Sequence, residues 1–575
     1  MDNRDYAHIL EDIASLLKIK GANRFRIRAF ENAARTIETE TASIEAAIDA
    51  GDLTQWSGIG DGIAAELTQI YERGSCDLYD ALVDELDAGL LELMNIQGLG
   101  PKRIKKIHDA LGIAEIDDLQ AAAEAGDISA LSGFGKKTEQ TILDEIERLS
   151  EQAGRVPLPR ARRIADSLCD QLRALDAVDR IEVAGSLRRG RETIGDVDLL
   201  VATDDPAPVH QAFRDLLEVD SVLLSGDTKT SVRLRNGVQV DLRTVTPDQF
   251  GSALHYFTGS KQHHVQLRTR AKRQGLKISE YGVFPIDDDI PIASRSEQDL
   301  FEALGLDFIP PELREGRSEI DAAADHRLPQ LISLDDVRGD LHMHTTETDG
   351  QASIEEMARA AAERGYDYLA ITDHSQDVRV ANGMTPERFE AHIERIDAVN
   401  ERLSDIEVLS GIEVDILQDG SLDMDHDLLR RCDWVVASIH SHFQMPKDEM
   451  TERLLAAIST GLISCLGHPT GRILGGRDGY DYDFPAIVDA AIDADIALEI
   501  NGSTGRLDLN AALARQATQR GATITLGSDA HSTRGLEAIS FAVQQARRAA
   551  LEAPQILNCQ PLDQLMARQG KTQST

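Results

Sequence analysis

The sequence predicts a multidomain α+β protein, and three features of its 575 residues indicate this fold class. A chain of this length exceeds what one hydrophobic core supports, so several compact units are expected. Helical segments with Gly-x-Gly turns come first, short alternating strands follow, and a regular strand-helix alternation ends the chain. The changes of pattern predict domains at 1–88, 89–154, 155–315 and 336–575, with a linker at 316–335.

The composition is that of a globular protein, with 42% hydrophobic and 28% charged residues. No apolar run approaches the ~20 residues of a membrane span, and the N-terminus lacks a secretory signal. The five cysteines are scattered without C-x-x-C spacing, which argues against a disulfide framework or a thiolate zinc site. We therefore expect a cytoplasmic protein without membrane contact, and a monomer.

The net charge of −39 should repel a polyanion such as DNA. The basic residues nevertheless gather in runs within the first 280 residues, at 102–106, 136–137, 160–163, 188–191 and 268–277. An acidic surface with basic islands fits a halophilic, salt-in cytoplasm, where repulsion is screened within ~3 Å at 1 M salt. The alternative is an ordinary acidic protein whose basic runs are solvated helix faces.

Three Gly-apolar-Gly turns lie in the N-terminal part, each before an amphipathic helix. Their glycines let the backbone approach a phosphate, and the helix that follows presents free N–H groups and the positive end of its dipole. The pattern resembles the helix-hairpin-helix motif, which implies contacts to the DNA backbone rather than to bases. The expected DNA-binding residues are Gly58, Gly60, Gly98, Gly100, Lys102, Gly133, Gly135 and Lys136.

Two acidic strands carry the chemistry of the central part. Asp196 and Asp198 are two apart in an apolar strand and project to one face, and an antiparallel neighbour would bring Asp241 beside them. Three carboxylates so placed hold two cations ~4 Å apart, as an in-line displacement at phosphorus requires. The preceding segment Gly185–Gly190, called here the phosphate turn, offers N–H groups, a hydroxyl and guanidinium groups to a triphosphate.

These motifs, with Tyr256-Phe257-Thr258-Gly259-Ser260, resemble the palm of the family X DNA polymerases, the group that contains polymerase beta. The resemblance implies Mg²⁺- or Mn²⁺-dependent gap filling on gapped or primed duplex DNA with deoxynucleoside triphosphates. It implies Asp196, Asp198 and Asp241 as catalytic metal ligands. It implies the nucleotide-binding residues Gly185, Ser186, Arg189, Gly195, Tyr256, Phe257 and Gly259.

The chain departs from polymerase beta at several positions. Gln239 replaces the active-site arginine and His264 the minor-groove asparagine, which leaves fidelity and nucleotide affinity open. Residues 1–88 resemble the small lyase domain of that enzyme, but Glu66 stands at the position of its nucleophilic lysine. We therefore expect this domain to bind DNA ends without the family's lyase site. Its candidate phosphate contacts are Lys18, Lys20, Arg24, Arg26 and Arg28.

Seven apolar runs, each followed by a helical segment, predict a parallel (β/α)7-like barrel in the last domain. The runs are 339–344, 368–374, 408–413, 434–440, 463–468, 497–501 and 524–529. Six of them end in potential metal ligands, where such barrels keep their working residues. The expected donors are His342, His344, Asp349, His374, Glu413, His440, His468, Asp529 and His531. Nitrogen and oxygen donors without thiolates suit Zn²⁺, Mn²⁺ or Fe²⁺, with up to three ions.

The motifs Asp340-Leu341-His342-Met343-His344 and Gly527-Ser528-Asp529-Ala530-His531, among others, resemble the polymerase and histidinol phosphatase (PHP) domain. The resemblance implies hydrolysis of DNA phosphoesters as a 3′-to-5′ exonuclease, with apurinic endonuclease or 3′-phosphatase activity as further options. Arg472 or Arg477, close to His468 in sequence, could assist. The order of the two parts is similar to the DNA polymerase X family of bacteria and archaea.

Three alternatives remain open at this point. The palm could be a non-templated nucleotidyltransferase, which would fail to extend a gapped DNA primer. The barrel could be a small-molecule phosphatase, which would hydrolyse histidinol phosphate but not primer termini. The whole chain could be a DNA-end scaffold with both sites silent, which would show no metal-dependent turnover.

Overall fold

The chain forms two compact units, Met1–Ala153 and Gly154–Thr575, in a computed structural model of the protein. The structure describes residues 3–39, 44–56, 58–86, 89–94, 96, 99–152 and 155–572. No helix among these residues is long and apolar enough to cross a membrane.

The first unit is built from helices in the part that the structure describes. They are α1 (Asn3–Lys20), α2 (Arg24–Thr39), α3 (Ile44–Ala50), α4 (Asp61–Arg73), α5 (Asp77–Leu86), α6 (Gly89–Leu93), α7 (Pro101–Leu111), α8 (Ile116–Ala125), α9 (Asp127–Ala130) and α10 (Lys136–Gln152). One apolar core forms around Leu10 and Leu67, and a second forms around Ile104 and Ile142. Each core gathers the apolar stripe of several amphipathic helices, which is what stabilises short helices in water.

The Gly-x-Gly turns lead into helices, as predicted. Gly60 directly precedes α4 and Gly100 directly precedes α7, while Gly133 takes the left-handed φ of +88° two residues before Gly135 and α10. Lys102 and Lys136 are exposed, so both amines are available to a ligand. Gly98 lies outside the described residues.

The central part of the second unit runs from β1 to α17. Its elements are β1 (Val156–Pro157), α11 (Leu158–Arg173), β2 (Arg180–Val183), α12 (Gly185–Arg188), β3 (Thr193–Ile194), β4 (Asp196–Ala202), α13 (Pro206–Arg214), β5 (Val219–Ser225), β6 (Lys229–Leu234), β7 (Gln239–Val245), α14 (Phe250–Thr258), α15 (Lys261–Arg273), β8 (Leu276–Ser279), β9 (Gly282–Pro285), α16 (Glu297–Ala303) and α17 (Glu319–Ala324).

Five of these strands form a mixed sheet in the order β2-β4-β7-β6-β5. β4 and β7 are parallel neighbours, with Asp198 in register with Asp241, whereas the other neighbours are antiparallel. The expectation that the strand of Asp241 runs antiparallel to the strand of Asp196 and Asp198 was therefore wrong. Alternation of apolar and polar residues places a side chain on a face but does not fix the direction of the neighbouring strand.

Residues 316–335, expected to be a linker, contain α17. Ile320 and Ala323 of this helix are buried in one apolar cluster with Leu267 and Phe301. The segment is therefore packed against the part formed by α15 and α16. Asp321, Asp325 and Arg327 are exposed, whereas Glu319 is buried beside His263 and the two apolar positions face the core. Composition alone does not separate this pattern from a linker.

The last part of the second unit alternates strands and helices. They are β10 (Gly339–Asp340), α18 (Ile354–Ala362), β11 (Tyr368–Ile371), α19 (Pro386–Asn400), β12 (Glu407–Asp415), α20 (His426–Leu429), β13 (Trp434–Ser438), α21 (Lys447–Ser459), β14 (Cys465–Leu466), α22 (Phe484–Asp493), β15 (Ala497–Asn501), α23 (Ala511–Arg520), β16 (Ile524–Gly527), α24 (Ile539–Arg548) and α25 (Leu562–Thr572).

The seven strands β10 to β16 are parallel and lie in sequence order, as predicted. A parallel bridge between Met343 and Ala530 joins the segment after β10 to the segment after β16. The sheet therefore curves into a nearly closed barrel, with the ends of its strands at one rim. β10 and β14 are shorter than the apolar runs that predicted them, so His342, His344 and His468 lie beyond the regular strands.

The mixed sheet and the barrel share a core within the second unit. Leu507, between β15 and α23 of the barrel, is fully buried in the apolar cluster of the mixed sheet. Beside it, Arg472 Nη1 lies 2.9 Å from Glu192 Oε2. These contacts make the two parts one packed body.

Candidate active sites

The three predicted aspartates of the mixed sheet meet at one point. Asp196, Asp198 and Asp241 each offer a carboxylate oxygen, and these oxygens lie within 4.8 Å of one another. Burial first, and then the charges of Asp196 and Asp241, raise the pKa of Asp198 to about 7. Three crowded acidic groups of this kind favour bound cations, because a cation relieves both the burial cost and the repulsion. That they bind metal stays a prediction.

Asp241 is held by two side chains. Lys229 Nζ lies 2.5 Å from Asp241 Oδ2, and Gln239 Nε2 donates to Asp241 Oδ1 at 3.0 Å. Against the effect of burial, these hydrogen bonds hold the pKa of Asp241 below its ordinary value. Gln239 therefore supplies a neutral hydrogen-bond donor to Asp241, and the positive charge comes from Lys229 of β6. No sequence motif includes Lys229, because it reaches Asp241 from a neighbouring strand.

The phosphate turn lies directly against Asp198. Gly185 has a φ of +62°, and a Cβ built there would be 2.1 Å from Asp198 Oδ2. Gly195, a second predicted glycine, lies close to the Arg155 guanidinium, whose Nη1 would be 3.2 Å from a Cβ. Glycine is required at position 185 for this close approach, whereas at position 195 a Cβ would displace the end of the Arg155 side chain only slightly. Arg155 is a cation of this site that the motif search missed.

Arg189 is in the turn but pairs with protein groups. Its Nε lies 3.4 Å from Glu315 Oε1, and its Nη1 donates to the Thr258 carbonyl. Burial lowers the pKa of the Arg189 guanidinium, which still remains a cation. A Cβ on Gly259 would lie 3.0 Å from Arg189 Nη1, so this glycine leaves room for the guanidinium. A ligand that takes the Arg189 Nε as its donor would have to displace Glu315.

The predicted aromatic pair lies next to the turn. The rings of Tyr256 and Phe257 are 5.1 Å apart and nearly perpendicular. His264 Nε2 is 2.9 Å from the Tyr256 carbonyl oxygen, and burial lowers the pKa of His264 to about 4. His264 is therefore neutral at pH 7, and its contact with the Tyr256 carbonyl fixes the position of that residue. The Arg243 guanidinium lies 4.4 Å from the centre of the Phe257 ring.

The nine predicted donors of the barrel converge at its rim. Glu413 is at the centre of one half: its carboxylate lies 2.8 Å from His374 Nδ1, 2.9 Å from His468 Nε2 and 3.4 Å from His440 Nε2. Three groups have ligand atoms within 4.8 Å of one another. They are His344, Asp349, His374 and His531; His342, His344 and Asp529; and His374, Glu413 and His440.

The imidazoles of this cluster fit metal ions. His342 Nε2, both ring nitrogens of His344 and His468 Nδ1 are buried without a hydrogen-bond partner. Buried polar atoms without partners are rare and costly, and a cation supplies the missing partner. Burial lowers the pKa of His344 to about 3, which keeps that ring in the neutral form that coordinates metal. The cluster is therefore suited to several divalent ions.

Two carboxylates that the motif search missed orient these imidazoles. Glu499 Oε1 is 2.7 Å from His342 Nδ1, and Asp415 Oδ1 is 3.2 Å from His440 Nδ1. A carboxylate on one ring nitrogen leaves the other nitrogen free for a metal. An acidic residue inside an apolar strand, as Glu499 is in β15, was the available signal.

The two arginines expected to assist the barrel serve other contacts. Arg472 donates to the carbonyls of Arg506 and Leu507 besides pairing with the mixed sheet, and Arg477 donates to the Gly471 carbonyl. Arg506 is the guanidinium beside the cluster, with its Nε 3.7 Å from Asp529 Oδ2. Arg506 arrives from the loop after β15, so proximity to His468 in sequence did not indicate it; a role for Arg472 or Arg477 stays a prediction.

The mixed sheet with its three clustered carboxylates defines a polymerase beta-type nucleotidyltransferase. The parallel barrel packed on it, with nine clustered donors, defines a metal-dependent phosphoesterase. Models of known protein families match this chain, and their order along the chain is that of the parts described above. They are Helix-hairpin-helix domain (1–76), SAM-like Helix-hairpin-helix tandem (90–148), DNA polymerase beta palm (155–229), DNA polymerase beta thumb (253–315) and PHP domain (340–503).

Relatives match both the whole chain and part of it. The DNA polymerase/3′-5′ exonuclease PolX of Bacillus subtilis (strain 168) is 38% identical over 569 residues, which is 99% of each chain. Probable phosphatases of Vibrio atlanticus (strain LGP32) and Thermoanaerobacter sp. (strain X514) are 30% and 26% identical over 34% and 38% of this chain, and 79% and 89% of their own. The chain belongs to the PolX family, the family X DNA polymerases with a C-terminal PHP domain.

Proposed function

We propose that the chain is a DNA polymerase that fills short gaps during repair and that also removes nucleotides from DNA 3′ ends. The meeting of Asp196, Asp198 and Asp241 beside the phosphate turn carries the first activity. The nine-donor cluster at the barrel rim carries the second. The relative of matching length is itself described as a DNA polymerase/3′-5′ exonuclease.

In the palm, the three aspartates would hold Mg²⁺ or Mn²⁺. Such ions supply activation of the primer 3′-hydroxyl and neutralisation of the triphosphate. The chain supplies the positioning: Ser186 and the backbone of the phosphate turn receive the triphosphate, and Tyr256 and Phe257 flank its sugar. Lys229 and Gln239 fix Asp241.

In the barrel, the nine donors would hold up to three Zn²⁺, Mn²⁺ or Fe²⁺ ions. Such ions supply a hydroxide and stabilise charge on the phosphorus oxygens. Glu499 and Asp415 keep His342 and His440 in the orientation that exposes the second ring nitrogen. Arg506, beside Asp529, is placed to bind the anionic phosphate of a DNA end.

The two helical domains, 1–88 and 89–154, would bind the DNA backbone through their glycine turns. Lys102 and Lys136, exposed at the starts of α7 and α10, would contact phosphates. In the first domain, burial and, after it, the Glu66 carboxylate raise the pKa of the Cys76 thiol, and position 66 holds no amine, which fits the expected loss of the lyase site. We place the protein, as a monomer, in a cytoplasm rich in salt, where a net charge of −39 is tolerable near DNA.

A gapped, labelled duplex tests both activities in one tube, with Mn²⁺ at high salt and with or without nucleotides. Asp198→Ala is expected to abolish extension and keep degradation, and His344→Ala is expected to do the reverse. The activity that each variant keeps shows that this variant is folded. Extension by Asp198→Ala at the wild-type rate would show that the palm assignment is wrong.

A second candidate for the barrel is a small-molecule phosphatase. The relatives described as probable phosphatases match a third of this chain, close to the share that the barrel occupies. Hydrolysis of histidinol phosphate, with no loss of nucleotides from primer termini, would favour this candidate over the exonuclease.

A further inference from the structure

The phosphate turn of the palm is held from outside the palm, by helix α24 of the barrel. Gln545 Nε2 donates to the Gly190 carbonyl at 3.1 Å, and Arg548 Nη1 donates to the Arg189 carbonyl at 2.6 Å. Gly190 has a φ of +66°, and a Cβ there would lie 2.6 Å from the Gln544 side chain. Gln545 is fully buried, so water does not compete for its amide. The barrel therefore forms part of the wall that fixes this turn.

A single carboxylate ties Arg189 to the same helix. Glu315 Oε1 lies 3.4 Å from Arg189 Nε and 3.0 Å from Arg548 Nη1, and its Oε2 is 4.0 Å from Arg191. Although burial opposes ionisation, the charges of Arg548 and Arg189 hold the pKa of Glu315 below its ordinary value. The side chains of Glu315, Arg189 and Arg548 are each about nine-tenths buried, whereas that of Arg191 is half exposed. Glu315 is thus an anion shared by two buried guanidinium groups.

We infer that Arg548, a residue of the barrel, is a positioning residue for nucleotide binding by the palm; this inference rests on the proposed polymerase function. Arg189 is the buried arginine of the phosphate turn, and a triphosphate that takes its Nε as a donor must displace Glu315. A buried carboxylate that loses its partner is strongly disfavoured. Arg548 keeps Glu315 paired when Arg189 leaves, so that nucleotide binding does not leave the buried Glu315 carboxylate without a positive partner.

The test is gap filling on a labelled duplex by the full-length chain, with the nucleotide concentration varied. Arg548→Ala is expected to raise the KM for the nucleotide at least about tenfold with little change in kcat, because ground-state binding is what it impairs. Arg548→Lys, which keeps the positive charge but lacks the planar guanidinium, should bring the KM part of the way back toward the wild-type value. Adding Glu315→Gln to Arg548→Ala should return the KM to near the wild-type value, because a neutral amide does not retain Arg189.

The matched control is Arg547→Ala. Arg547 is the neighbouring residue on α24 and makes a similar ion pair, with its Nε 2.6 Å from Glu312 Oε1, but its bonds go to Glu312 and the Ile332 carbonyl. Its loss should leave the KM unchanged. The rate of 3′-end removal by the barrel reports that each variant is folded.

Equal rises in KM for Arg547→Ala and Arg548→Ala would overturn the inference, because they would mean a general loosening of the interface. A KM that stays high in the Arg548→Ala, Glu315→Gln double variant would overturn it as well. A wild-type chain that extends no primer would overturn the proposed function and this inference with it. A wild type that extends primers, with an unchanged KM in Arg548→Ala, would overturn the inference alone.

Discussion

Replacing Gly185 by alanine should displace one catalytic carboxylate without changing any charge. The new Cβ would lie 2.1 Å from Asp198 Oδ2 and 3.1 Å from its Cγ, whereas ordinary van der Waals contact begins at 3.4 Å. Asp198 must therefore withdraw by about 1 Å, a displacement that costs an enzyme about 100-fold in rate. That loss corresponds to about 2.7 kcal/mol. Alanine at a φ of +62° adds roughly 1 kcal/mol of backbone strain, which a protein of this size tolerates.

The assay is the rate of single-nucleotide gap filling at saturating nucleotide, with 3′-end removal measured on the same preparation. The expected result is a fall in the polymerase kcat of about 100-fold and an unchanged rate in the barrel. Gly237→Ala is the matched control, because Gly237 has a φ of +83° in the turn between β6 and β7 with nothing within 4 Å of a Cβ. It carries the same strain without the collision. If both variants fill gaps equally fast, close contact between the phosphate turn and Asp198 plays no part in catalysis.

Three further predictions concern the cation sites. The folded pKa of Asp198, about 7, exceeds its ordinary 3.8, so its contribution to the stability of the metal-free protein is present below pH 4 and lost as the pH rises through 7. Between pH 4 and pH 8, the free energy of urea unfolding of the wild type should fall by about 4 kcal/mol relative to that of Asp198→Asn. Lys229→Ala should lower the polymerase kcat about tenfold or more by freeing Asp241, and Lys229→Arg should retain most of it. Glu499→Gln should weaken metal binding by the barrel about 10- to 100-fold in a calorimetric titration, because His342 loses its orienting carboxylate.

Each of these has a control. A stability difference between wild type and Asp198→Asn that is the same at pH 4 and pH 8 would contradict the first. Lys277→Ala, which removes an exposed pair with Asp289, is the surface match for Lys229, and an equal effect of the two would contradict the second. Glu407→Gln, at the exposed start of β12, is the match for Glu499, and an equal metal affinity in the two would contradict the third.

The barrel could be predicted from the sequence because each of its strands is a short apolar run with a helix behind it. The run 497–501 coincides with β15, whereas 463–468 contains only the two-residue β14. The difference arises because His468 points into the rim, beyond the last ladder hydrogen bonds. The direction of β7 could not be predicted, because alternation is shared by parallel and antiparallel strands.

The ligand residues of both sites could be predicted because carboxylates and imidazoles are rare at the ends of apolar strands and recur here at fixed spacing. Lys229, Arg155 and Arg506 could not, because each reaches its site from another element and belongs to no motif. Arg472 shows how little sequence distance fixes the contacts of an arginine: it is four residues from His468, yet it pairs across the interface with Glu192. Spacing along a strand is fixed by geometry, whereas the contacts of a long side chain in a loop are not.

Because the mixed sheet and the barrel share a core, the active site of the barrel depends on packing against the mixed sheet. In the segment 506–508, Arg506 approaches Asp529 of the barrel cluster, Leu507 enters the core of the mixed sheet, and the Asp508 carboxylate accepts hydrogen bonds from the backbone N–H groups of Thr470 and Gly471. An isolated barrel would expose Leu507 at a cost of about 2 kcal/mol and release the anchor of Arg506. Loss of exonuclease activity in such a fragment would therefore say nothing about whether the polymerase takes part in the hydrolysis. Substitutions at the metal-site residues, which leave this segment in place, separate the two activities; truncation does not.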